Sequence, residues 1–158
     1  MNYEKFLRDE FTQHLDHITP NQQVLWGSMS PQHIVEHFGL IFMLSNGRMT
    51  VAPNAEPDRL AYRKMRFFEK DVPFPRSFRA PFLPETAMPL KFESIEVAKQ
   101  KTVKELQRFF EYFVENPKAQ AMHPVLGPLN ATEWTEFHTR HIRHHLTQLG
   151  FELGVTSV

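Results

Sequence analysis

Three histidines at helical spacing in one stretch, His138, His141 and His145, are the residues of this chain best placed for chemistry. His141 and His145 stand four apart, about 6 Å along a helix axis and about 40° around it, the spacing at which two imidazoles can bind one ion from a single helix. His138 and His145 are about 10 Å apart along the axis, too far to share an ion easily. His138 can also pair with His141, so spacing alone leaves the choice of pair open. His37 shares an arc with Ile34, Ile41 and Leu44 in a separate apolar stretch and offers a third ligand. Neutral imidazole is a common ligand for zinc, nickel and similar divalent ions. The competing reading is a set of hydrogen-bonded core rings. Against it, three imidazoles in a dry interior repel when protonated and compete for few acceptors.

These side chains need elements to hold them. Asn130 and Glu133 form an N-cap and N3 pair, no Gly or Pro interrupts the following stretch, and Gly150 ends it, which predicts a helix over 131–149. Trp134, Phe137, His138, His141, Ile142, His145, Leu146 and Leu149 share its apolar arc; Glu133, Glu136, Thr139, Arg140, Arg143 and Thr147 share the polar arc, with His144 at the boundary. Ser30 and Pro31 start a second helix over 31–46, apolar around most of its circumference and therefore expected to be central. Apolar steps of three and four predict helices over 3–18 and 94–116, with His14 and His17 at the rim of the first, and a short one over 58–70. Recurrent prolines from Pro73 to Pro89, interleaved with Phe74, Phe78 and Phe82, predict an ordered loop packed on the helices and roofing a pocket. Residues 123–130 read as a loop. The expected fold is all-α, a four-helix bundle with this Pro-rich ordered loop and one short extra helix, forming a single domain over 1–158.

Composition removes several functions. The 18 Lys and Arg balance 18 Asp and Glu without a basic stripe, which excludes nucleic-acid binding by electrostatics. With no cysteine there is no disulfide framework, no thiolate nucleophile and no Cys-type zinc site. The N-terminal stretch lacks a signal-peptide core and no apolar run is long enough to span a bilayer, so no membrane association is expected and the chain reads as cytoplasmic.

Three stretches taken together resemble the DinB-like superfamily of small four-helix proteins, more closely its uncharacterised branch with a His-Pro-x-x-Gly-x-Leu loop before the last helix. They are Trp26-Gly-x-Met-Ser-Pro-x-x-x-x-x-His37, His123-Pro-Val-Leu-Gly-Pro-Leu-Asn-Ala-Thr-Glu-Trp134 and His141-x-x-x-His145-Leu-Thr-Gln148-Leu-Gly150. The resemblance implies a metal site on His37, His141 and His145. His138, His144, Gln148 and His33 are candidates to support those ligands or to serve structure alone. Asn130 stands where Thr is more usual, and Leu146-Thr147 stands where Arg-Gly often precedes the Gln. The resemblance further implies a zinc or nickel enzyme that activates a low-molecular-weight thiol or water for a small-molecule substrate, as a transferase, isomerase or hydrolase, and it suggests a homodimer. The other class of function is a non-catalytic metal- or ligand-binding helical bundle, stress- or sensing-related. Glu36, Glu133, His33 and His138 are all conceivable proton carriers, and spacing singles out none.

Overall fold

The computed structural model describes residues 1–74 and 88–154. The chain is mostly helical, with five helices and one small two-stranded sheet among the described residues. The first helix, α1, runs as α Tyr3–Lys5, π Phe6–Glu10 and α Phe11–His17. A regular α-helix would set Phe6 and Phe11, five steps apart, about 140° apart around the axis. The π turn, closed by the Phe11 N–H donating to the Phe6 carbonyl, lets both enter the core beside Leu7 and Leu15.

Helix α2, Pro31–Ser45, is capped by Ser30: its Oγ accepts from the His33 N–H at 3.3 Å, and His33 Nδ1 accepts from the Ser30 N–H at 3.2 Å. As expected of a helix apolar on most sides, it buries Ile34, Val35, Phe38, Ile41, Phe42 and Leu44. Helix α3 is Pro57–Phe68 and α4 is Ile95–Glu115. The pair α2 and α4 packs most extensively. Thr102 donates its hydroxyl to the Val35 carbonyl at 3.0 Å where Gly39 leaves room for it. At the C-cap of α2, Asn46 donates to the Glu105 carboxylate at 2.8 Å, and that carboxylate also pairs with Arg108 and Arg48.

Strands β1, Ala121–His123, and β2, Gly127–Leu129, form an antiparallel hairpin in which Ala121 faces Leu129 and His123 faces Gly127. This corrects the loop expected at 123–130 and the purely helical class. The hairpin turn is set by Gly127 at φ 84°, a left-handed conformation that glycine adopts freely. It is also set by His123, whose Nδ1 accepts from the Val125 and Leu126 amides at 3.1 Å each. Those bonds fix the His123 ring as a turn cap packed against Phe137 and Trp134.

Helix α5, Ala131–Gln148, begins at the Asn130 capping box, with Asn130 Oδ1 accepting from the Glu133 N–H at 2.9 Å and Glu133 Oε1 accepting from the Asn130 N–H at 3.1 Å. The expected helices over 3–18, 31–46, 58–70, 94–116 and 131–149 thus differ from the observed ones by one or two residues at their ends. The Pro-rich segment expected to form a loop lies, from 75 to 87, outside the described residues. Two members of the expected polar arc of α5 are not solvated. Thr139 is fully buried and donates its hydroxyl to the Tyr3 carbonyl at 3.1 Å, because α1 packs across that side. Arg140 lies over the Phe67 ring and donates to the carbonyls of Phe67 and Val72 at 2.7 and 3.0 Å, tying α5 to the end of α3. A continuous apolar cluster draws on α1, α2, α4, α5 and the hairpin, with Trp134, Phe11, Phe38, Phe42 and Phe109 among its largest buried members. No described helix is long and apolar enough to cross a membrane.

Candidate metal centre

Helix α2 presents His37 and helix α5 presents His141 and His145, so that three ring nitrogens converge. His141 Nε2 lies 2.9 Å from His37 Nε2 and 3.1 Å from His145 Nε2, and all three ligand atoms fall within 4.8 Å of one another. Imidazole nitrogens bonded at about 2.0–2.1 Å to one tetrahedral ion stand about 3.3 Å apart. The two close separations fall near that value, and the third pair, within 4.8 Å, has to close further for one ion to bridge all three. Among the described residues this is the only such histidine or carboxylate cluster with metal-ligand spacing.

The rings are kept neutral, as ligands must be. Burial pushes His37 and His141 well below the usual histidine range, and the neighbouring histidines push in the same direction. Burial likewise lowers His145 to about 4, against an opposing contribution from its hydrogen bond to Gln148. His37 retains a partly exposed edge although its Nε2 sits deep in the cluster. The surroundings are aromatic. Phe137 stacks on His141, Phe38 meets His141 and His145 edge-on, and Phe74 packs against His141 and His144.

The supporting candidates separate clearly in space. Gln148 Oε1 accepts from His145 Nδ1 at 2.7 Å, and Gln148 Nε2 donates to the Trp26 carbonyl at 2.7 Å. His144 contacts the edge of His145 and the Trp26 ring at the flank of the cluster. His138 turns away: its Nε2 meets Ser45 Oγ at 2.7 Å, and its ring stacks on Trp134. His33 is committed to the α2 cap and donates Nε2–H to the Met88 carbonyl at 2.7 Å. Of the carboxylates considered as proton carriers, Glu36 accepts from the Lys91 and Phe92 amides, and Glu133 closes the α5 cap and pairs with Lys64 at 2.8 Å. Both hold backbone in place. Sequence reasoning missed the buried structural role of His123, for which the Pro and Gly that follow it were the available turn signal.

The fold and site define a mostly helical protein with three converging neutral histidines. A family model described as "protein of unknown function (DUF1569)" matches residues 72–151, over half of the chain, and the chain belongs to that family. The matched region includes α4, the hairpin and α5 with His141 and His145; His37 lies before it. No curated protein and no solved structure matches the chain.

Proposed function

We propose that the chain is a metal-dependent enzyme of the DinB-like superfamily, a single four-helix-bundle domain in which His37, His141 and His145 hold one divalent ion, zinc or nickel. The observation that carries this reading is the convergence of three neutral Nε2 atoms from two helices. Without an ion, the single His141 Nε2 can share a proton with only one of its two close neighbours while the rings stay neutral, which leaves the other pair lone pair to lone pair in a site whose desolvation penalises any protonated ring. A bound ion accepts those lone pairs, and three ligands leave a coordination position free for a thiol or water and its small-molecule substrate. The chain supplies no cysteine, so a thiol must come as cosubstrate. The aromatic wall of Phe38, Phe74 and Phe137 limits water around the rings and holds their planes.

The test is elemental mass spectrometry of protein purified without a histidine tag or chelating resin, for the native chain, His37→Ala and His141→Ala. The expected result is near-stoichiometric zinc or nickel in the native protein, lost in both variants while their circular dichroism stays helical. Native protein that takes up no ion even after reconstitution overturns the reading, and assays for thiol transfer and hydrolysis follow only a positive result.

A further inference from the structure

We infer that Gln148 is a positioning residue for the metal site: its carboxamide fixes His145 in the tautomer that aims a bare Nε2 lone pair at the ion. The inference rests on the metal reading above and adds to it a residue that does not itself touch the ion. The carboxamide is assigned by its two partners. The Trp26 carbonyl, 2.7 Å away, can only accept, so the Gln148 amide nitrogen must face it. The amide oxygen then faces His145 Nδ1 at 2.7 Å and can only accept, so Nδ1 carries the proton and Nε2 does not. That Nε2 is the atom 3.1 Å from His141 Nε2. Metal-bound histidines commonly donate their distal N–H to such a partner, which fixes the ring and raises its basicity.

The seat for this amide is built by residues far away in sequence. The Leu25 N–H donates to the Gln148 carbonyl at 2.8 Å, which brings the Trp26 carbonyl into register. Gly27 follows at φ 85°, and a Cβ there would fall 2.7 Å from Gln148 Nε2. Glycine is required both for that backbone conformation and for that close approach. The Trp26-Gly27 pair thus orients the amide, the amide orients His145, and helix α5 carries both the amide and the imidazole.

The test measures zinc affinity by competition with a chromophoric chelator, and cobalt absorption in the visible, for the native chain, Gln148→Met and Gln148→Glu. Methionine keeps the length and removes the acceptor; glutamate keeps an acceptor on Nδ1 and loses the donor to Trp26. Gln148→Met is expected to bind zinc about 10–100-fold more weakly. Gln148→Glu is expected to recover most of that loss, and the cobalt spectrum should follow the same order. A role confined to bridging Trp26 would weaken both variants alike, and equal weakening overturns the inference. So does a Gln148→Met protein with native affinity, which leaves the metal reading standing; a native chain that binds neither ion overturns the metal reading itself.

Discussion

Acidification from pH 7.5 to pH 5 is expected to cost the metal-free protein at least ~4 kcal/mol of folding stability. An unfolded histidine titrates near pH 6.5. In the fold, burial lowers His123 to about 3 and His145 to about 4. At pH 5 both rings are neutral when folded and protonated when unfolded. The unfolded state therefore binds more protons, and stability falls as pH falls below 6.5. Down to pH 5 each ring contributes a loss of ~2 kcal/mol. His37, His138 and His141 are lowered by the same burial and deepen the loss. Since a domain's whole stability is typically about 5–15 kcal/mol, the change is large enough to approach acid unfolding. Ordinary carboxylates titrate near pH 4, so the slope between pH 6.5 and 5 belongs to histidine. The assay is urea unfolding of chelator-treated protein across this range, followed by tryptophan fluorescence. Extrapolated stabilities that agree within ~1 kcal/mol at pH 7.5 and pH 5 would refute the reasoning.

Two substitutions test the frame that holds α5. Asn130→Ala removes the acceptor for the Glu133 amide at 2.9 Å and should cost about 1 kcal/mol, seen as a melting temperature lower by roughly 2–4 °C. Trp134→Phe removes the indole N–H that donates to the Ala121 carbonyl at 3.0 Å and leaves a void in the core, for an expected loss of roughly 2–4 kcal/mol in urea unfolding.

The helices were legible because their ends carry chemistry that acts locally. Ser30-Pro31 and Asn130 with Glu133 satisfy orphan amides within three residues, and the structure shows both capping boxes. The meeting of His141 and His145 was legible for the same reason, since four helical steps fix their separation. His37 required a longer argument, from the arc it shares with Ile34 and Ile41 to a facing helix, and the structure brings it to the pair. What sequence did not show depends on neighbours from elsewhere in the chain. Thr139 has a polar side chain on a polar arc, and only the Tyr3 carbonyl arriving from α1 makes its burial tolerable. The π turn at Phe6–Glu10 hides in a pattern of threes and fours, because one added residue per turn leaves apolar spacing locally plausible. The hairpin strands are three residues each, too short for an alternating pattern to register. The place of Gln148 depends on a carbonyl at Trp26, 122 residues earlier.

That remoteness bears on when the cluster can come into being. His37 meets His141 across 104 residues, and Gln22 donates to the Leu149 carbonyl across 127. Contacts so distant in sequence form only after the entropy of closing the intervening chain has been overcome. A growing polypeptide therefore carries His37 as a solitary imidazole until helix α5 has been made and has docked. On the proposed metal reading, an ion that meets the chain during synthesis finds no three-point grip, and its uptake would mark the moment at which the two distant stretches have clasped.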